Sequence, residues 1–471
     1  MPLAPPVTNA HASVRPSNSS LIVNTDYTPR SMPALTLSGW HERVPMECKN
    51  APVKWGEYGR RPLVVLSLVA MIDAVDRGIL PGVLDNVQDD LGFTDRQAGL
   101  LGTAYVFAGF LVVMAAGYLA DRGKRTHIIA LVLVSWGFIS ALNSLVQNLA
   151  QFIAIRAALG IGETIDNPAS QSLLADYYPT ERRGRAYAAH RAAPLVGTAL
   201  GTGVGGVVGA TLGWRWAFLL VGVPGSVIAF LCWRLPEPVR KGSEAPAARG
   251  WGAARDDVRA LLRVRTLRAL MVGTAIGTGA LTGIGFWAPE FYERHTSLTS
   301  GQASGVVGGL ILVGALLGTL FGGWARDRIA ARVAGASMAL TAVTQATGAV
   351  ALMIVFLDVP IAVRLIFSVI GVAFIVAGFP ALSATTADVV PSRVRGLAFS
   401  ITGFFSALTS ALSPLVIGEI SDRFDYNVDG EVQGNLANAF LIATPLVFVG
   451  AAVLWRGRRH VTGDLLRVEG A

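Results

Sequence analysis

The feature that most constrains this chain is that it repeats itself. Asp176-Tyr-Tyr-Pro179-Thr-Glu-Arg-Arg183-Gly184-Arg-Ala186-Tyr187 returns 212 positions later as Asp388-Val-Val-Pro391-Ser-Arg-Val-Arg395-Gly396-Leu-Ala398-Phe399. A second pair agrees with it: Gly117-x-x-x-Asp121-Arg122 and Gly323-x-x-x-Asp327-Arg328 lie 206 positions apart. Two echoes at nearly one offset imply a duplicated unit. Each copy sits where a long apolar run ends in basic residues, so each unit is expected to be a membrane-embedded half, the plan on which secondary transporters are built.

Composition supports that setting. The 471 residues are 52% hydrophobic and only 15% charged, whereas soluble chains are roughly a quarter charged. A crossing of the bilayer takes about 20 mainly apolar residues. Twelve runs qualify, at 62–86, 97–119, 127–147, 150–173, 186–209, 216–233, 266–289, 303–325, 333–356, 361–386, 395–418 and 437–456. The expected fold class is an all-α membrane protein of twelve transmembrane helices in two pseudo-symmetric six-helix bundles. A β-barrel would show short alternating segments instead.

The net charge of +8 raises nucleic acid as a partner, but the placement of the cations argues for topology. They fill every second loop, from Arg122, Lys124 and Arg125 through the 234–268 segment to Arg456 and Arg458, while the opposite loops hold little beyond Arg96, Arg215, Arg294 and Arg423. The positive-inside rule then places both termini and the central linker in the cytoplasm. The expected organisation is a disordered cytoplasmic tail over 1–57, a first bundle over 58–234, a linker over 235–264 with an amphipathic helix at Trp251–Arg263, a second bundle over 265–458 and a short tail over 459–471. Cys48 and Cys232, the only cysteines, supply neither a disulfide frame nor a thiolate metal site. Nucleotide-binding, serine-hydrolase and zinc-protease signatures are absent, so neither an enzyme nor a cofactor is expected.

Ionisable groups within hydrocarbon are costly and mark function. Asp73, Asp76 and Arg77 occupy the first helix at i, i+3 and i+4, a spacing that predicts one shared face. Arg156, Glu163 and Asp166 occupy the fourth. Four acids against two bases predict that a carboxyl binds a proton, and Asp76, Glu163 and Asp73 are the candidate coupling groups, with Arg77 and Arg156 as charge partners or head-group contacts. Ion pairs that merely lock helices are the alternative for part of this set. The second half carries aromatics in place of charges, and Phe286, Trp287, Phe374 and Phe379 are expected to form a wall for an apolar tail. Asp121, Arg122, Arg125, Asp327 and Arg328, at helix ends beside the repeated loops, are candidate gate residues whose bridges break and reform as the halves rock. Gly197, Gly201 and Gly205 permit close helix contact.

The stretch Gly117-Tyr-Leu-Ala-Asp121-Arg122-Gly-Lys-Arg125 resembles the loop signature of the major facilitator superfamily, with Lys124 in place of the second glycine. A narrower resemblance, to the Spinster family, rests on Asp76-Arg77, on Gly92-Phe93 with Ala98-Gly99-Leu100-Leu101, and on Arg156-Ala-Ala-Leu-Gly160-Ile-Gly162-Glu163. Asp73, Ala157 and Thr164 depart from that family's pattern. The resemblance implies a carrier of single-chain lipids such as lysophospholipids or sphingosine phosphate-like molecules, linked to protons, with Asp76 and Glu163 as coupling carboxylates. The expected partners are an amphiphilic lipid, protons and the bilayer, for a monomer in the plasma or inner membrane. Proton-coupled export of drugs or small metabolites is the competing expectation, and a non-transporting receptor a third.

Overall fold

The computed structural model describes residues 58–122, 124–238, 251–329, 335–391, 394–428 and 431–469. The expected tail, residues 1–57, lies outside the described residues, as do residues 239–250 of the linker. The first half holds α1 (Arg61–Leu91), α2 (Asp95–Arg122), α3 (Arg125–Leu142), α4 (Leu149–Tyr177), α5 (Thr180–Leu212) and α6 (Trp214–Trp233). A linker helix, α7 (Trp251–Arg263), precedes the second half: α8 (Arg265–Arg294), α9 (Ser300–Ile329), α10 (Ala336–Val355), α11 (Ile361–Ala377), α12 (Phe379–Asp388), α13 (Arg395–Ser421) and α14 (Leu436–Gly457). A hairpin of β1 (Asp425–Val428) and β2 (Glu431–Gly434) sits between α13 and α14, and α15 (Val461–Glu469) ends the described chain.

The turns are written in the local sequence. Gly92 ends α1 in the left-handed region (φ 67°), where a side chain would be strained. Asn148 accepts a hydrogen bond from the Gln151 amide at the start of α4, and Asn435 does the same for Asn438 in α14, each satisfying an amide the helix leaves free. The tenth crossing departs from expectation. It breaks at Gly378 into α11 and α12, because Pro380 has no amide proton for a continuous helix, and the Thr341 hydroxyl donates to the Gly378 carbonyl at 3.1 Å. The C-terminal segment also differs from a plain tail. It forms α15, and its Asp464 carboxylate accepts from the Thr266 amide at 2.9 Å, capping the first turn of α8.

Among the described residues nine stretches are long and apolar enough to span a bilayer; α1, α2 and α4, more charged or described only in part, complete the twelve, with α11 and α12 as one. Large apolar side chains face outward along single helix stripes, such as Leu131, Val134 and Phe138 on α3 or Leu316, Leu320 and Trp324 on α9. In water these would be unfavourable, but they match hydrocarbon.

The pairing follows the repeat. In the first half α1 packs on α5, α2 on α4 and α3 on α6; in the second α8 packs on α13, α9 on α11 and α10 on α14. The halves meet along two equivalent seams, α5 with α9 and α2 with α13. Glycine allows the closest approaches: a Cβ on Gly201 of α5 would overlap the Val75 carbonyl of α1, and one on Gly197 the Met71 carbonyl. With hydrocarbon outside, such backbone-close packing supplies the dispersion energy that water exclusion supplies elsewhere.

Candidate functional site

The charged residues of α1 divide between two environments rather than sharing one face. Asp76 turns into the first half and is wholly buried. The Ser140 hydroxyl of α3 donates to its Oδ1, and Arg156 Nη1 of α4 stands 3.7 Å from its Oδ2. The Arg156 guanidinium is stacked 5.0 Å from the Tyr105 ring centroid of α2. Four helices therefore converge on one acid and one base. The pair is an ion pair at long range: Asp76 Oδ2 and Arg156 Nε and Nη1 are buried without a hydrogen-bond partner among the described residues. Such a pair is poised to be remade. Arg156 thus faces Asp76; the side chain of Glu163 lies outside the described residues.

Asp73 and Arg77, one turn apart, point the other way, into a cavity of about 520 Å³ shared with α4 and α5. Asp166, Ser170, Gln171, His190 and Arg191 complete its polar lining. These residues lie in the halves of their helices nearest the end where the described chain starts and finishes, here the near end. Carboxylates and guanidiniums on one wall suit a ligand that carries both signs of charge, or an anion with several hydroxyls.

None of the four aromatics expected to form an apolar wall lines this cavity. Trp287 is fully buried, its indole donating to the Pro414 carbonyl at 3.0 Å. Phe286 packs edge-on to it, ring centroids 5.5 Å apart. Phe374 packs edge-on to Phe321, ring centroids 5.7 Å apart, and Phe379 is 40% exposed. Another pair bridges the halves instead: the Phe110 and Phe404 rings lie 4.7 Å apart across the α2–α13 seam.

The far end is sealed by Arg294 and Arg96, which sequence reasoning had left as stray loop cations, and by acids that it had not singled out. Arg294, closing α8, grips Asp95 at the start of α2 through two contacts of 2.7 and 2.8 Å, both side chains buried. Glu290 (2.8 Å) and the Gly434 carbonyl (2.9 Å) take its remaining donors. Asp95 also accepts from Ser421 (2.7 Å) and Gln88 (2.9 Å). The Asp422 carboxylate caps α2 at the Asp95 and Arg96 amides, and Arg96 meets Glu419 at 3.3 Å. Ser304 of α9 adds a bond to the Gly82 carbonyl at 2.7 Å. The only signal for this seal was opposite charge on loops of one side.

Of the expected gate residues, Arg125 forms a clamp within the first half, binding Asp176 (2.6 Å), Ser172 (2.7 Å) and Glu237 (2.8 Å). It joins α3, α4 and the chain after α6. Arg328 is exposed, and the side chains of Asp121, Arg122 and Asp327 lie outside the described residues.

A family model described as Major Facilitator Superfamily matches residues 66–414 and, in a second alignment, 293–469. Protein spinster of Drosophila melanogaster is 28% identical over 308 residues, which cover 64% of this chain and 51%, about half, of the fly protein. An MFS-type efflux pump of Mycolicibacterium smegmatis is 28% identical over 85% of this chain and 93% of its own length. A probable L-galactonate transporter of Escherichia coli is 24% identical over 82% and 89%. Among solved structures, a bacterial homolog to the human lysosomal transporter Spinster, inward-facing and unoccupied, aligns with a TM-score of 0.75 at 22% identity, over 86% of this chain and 97% of that one. That likeness concerns the fold. The repeat, the two matched sets of six crossings and a family model spanning most of the length converge, and the chain belongs to the major facilitator superfamily of membrane transporters.

Proposed function

We propose that this secondary transporter is proton-coupled and moves single-chain amphiphiles of the lysophospholipid or sphingolipid kind by alternating access. The observation that carries the reading is the one-sided cavity, which Arg77 and Arg191 line together with the acids Asp73 and Asp166, a complement to a phosphate beside an amine. Exposed Phe107, Phe404 and Phe405 on the α2 and α13 walls offer an apolar strip for the chain. Relatives named Spinster support the lipid class.

Asp76 and Glu163 are the coupling carboxylates in this reading. A proton on Asp76 cancels its attraction for Arg156, freeing the guanidinium to shift α4 relative to α1, and the far-end seal opens as the near end closes. With the termini cytoplasmic, as the loop cations favour, the near-end cavity faces the cytoplasm. The bundles over 58–234 and 265–458 are the rocking bodies of a monomer.

The polar lining favours one second reading, proton-coupled movement of a small hydroxy-acid anion, and a relative named as a probable L-galactonate transporter supports it. Proteoliposomes with an imposed pH gradient separate the two. Accumulation of labelled lysophosphatidylethanolamine, lost in Arg77→Ala, supports the lipid reading; accumulation of galactonate alone supports the other. No flux of either in any gradient direction would sink both.

A further inference from the structure

A second charged cluster lies at the far end, across the interface from the coupling pair. Where α1 and α8 run side by side, Asp85 of the first half and Glu290 and Glu293 of the second bring one carboxylate oxygen each within 4.8 Å of the others. Glu290 is only 2% exposed, and Asp85 and Glu293 are half-buried, so an ion can enter from the far side.

Acids outnumber bases here, and Asp85 and Glu293 are hydrogen-bonded to each other, which takes a shared proton that a metal cation would displace. Arg294 is the cation bonded to the cluster, and it is shared: two of its contacts go to Asp95, and its Nε goes to Glu290 Oε1 at 2.8 Å. The other oxygen of Glu290, Oε2, is buried with no hydrogen-bond partner among the described residues. An orphaned carboxylate oxygen beside two further carboxylates marks a place prepared for positive charge, since such an atom costs stability unless something binds it.

The donor set selects the ion. Oxygen ligands alone, without histidine or cysteine, favour hard cations over zinc or copper. Oxygens on opposite sides of one calcium ion lie about 4.6–5.2 Å apart, so three oxygens within 4.8 Å of one another can all reach one such ion, and the half-buried, irregular set suits calcium's flexible coordination better than magnesium's strict octahedron. Ser300 Oγ, 3.3 Å from Asn86 Oδ1, sets two neutral oxygens beside the acids.

We propose that Asp85, Glu290 and Glu293 form a calcium site that clamps α1 to α8 and holds the far end closed. The ligands come from both halves, so opening the far end dismantles the site. Calcium then stabilises one arrangement by its differential affinity for the two. This stands on the closed interface and is independent of which substrate the near-end cavity takes.

The test is equilibrium binding of radioactive calcium to the purified full chain in nanodiscs, with sodium and magnesium present, up to about 5 mM, above the roughly 10⁻⁴–10⁻³ M range of weak calcium modules. The expected result is about one ion per chain and a calcium-dependent rise in Tm, with Asp85→Asn and Glu293→Gln each weakening binding about tenfold or more. Both are half-buried positions, so their Tm in EDTA should stay near native; Glu290→Gln is a further variant, informative where it folds. An Asp90→Asn control at the same end, whose partner Arg215 lies in the same half, should bind as native does. No binding by the native chain, or binding unchanged in the Asp85→Asn/Glu293→Gln double variant, overturns the proposal.

Discussion

Asp95 and Arg294 stand 199 residues apart in sequence and face each other across the interface between the halves, joined by two contacts of 2.7 and 2.8 Å. The geometry is the parallel, two-bond match of guanidinium and carboxylate, and it is buried. Removing one partner strands the other charge in a low dielectric, a loss of about 3–5 kcal/mol. Because the pair exists only when the far end is closed, that loss falls on one state. Asp95→Asn is therefore expected to speed alkylation of a cysteine placed at Ser300 and to lower Tm, and the exchanged pair Asp95→Arg/Arg294→Asp to recover part of both. Alkylation no faster than in the native background would show that the pair does not hold the seal.

Asp422 gives the same end a dependence on pH. Its carboxylate accepts from the Asp95 and Arg96 amides at 3.1 and 3.0 Å. Loss of water around it pushes its pKa above the 3.8 of a free aspartate; the nearby Asp95 charge adds to the rise, and the amide donors oppose it. A carboxyl with a raised folded pKa holds more proton folded than unfolded. Its contribution thus favours the folded state at low pH and fades as pH climbs from the free value through the folded one. The Tm of the native chain minus that of Asp422→Asn should fall as pH rises from the free aspartate value of 3.8 upward through the raised folded one. A difference that widens with pH would mean the amide bonds prevail over desolvation.

Much of this architecture was legible because hydrocarbon allows few solutions. Apolar runs had to be helices, and the Asp176 and Asp388 echoes had to be equivalent corners, which they are, closing α4 and α12. The break at Gly378 was less visible, since hydropathy stays high through Phe379 and Pro380. Spacing along α1 placed Asp73, Asp76 and Arg77 near one another but could not tell which neighbour each would meet. The partner of Asp76 comes from α4, and its second contact from Ser140 of α3, a residue without charge to draw notice. Arg294 looked like a loop charge and Asp95 drew no notice, because a helix end carries no mark of being buried. Trp287 read as a cavity wall, yet its buried indole N–H needed an acceptor and found the Pro414 carbonyl of α13.

Glycines at the two kinds of contact should respond differently to one added methyl. On Gly308 of α9 it would approach the Ala199 carbonyl of α5 to 2.6 Å, across the seam between halves. On Gly160 of α4 it would overlap the Tyr105 carbonyl of α2, inside one half. Overpacking costs about 1–3 kcal/mol. In Gly160→Ala that cost burdens every arrangement of the halves, so Tm should drop by several degrees with little change in far-end alkylation. In Gly308→Ala the seam can part instead, so far-end alkylation should accelerate while Tm moves less. The reverse order would contradict the division into rigid halves.

The pairing of Asp76 with Arg156 makes the sharpest demand on the proposed mechanism. The contact is long, 3.7 Å, and the Ser140 hydroxyl holds the other carboxylate oxygen, so a proton can be taken up without dismantling the helix contacts around it. If Asp76 carries the coupled proton, Asp76→Asn mimics the loaded form permanently. That variant should lose accumulation driven by a pH gradient, by about tenfold or more, while exchanging labelled for unlabelled substrate across the membrane at near-native rate, because exchange needs no proton release. Arg156→Lys keeps the charge but loses the planar stack 5.0 Å from Tyr105, and should reduce both activities together. Gradient-driven accumulation that survives in Asp76→Asn would move the coupling role to Glu163 or Asp73 and leave Asp76 as a structural anchor for α4.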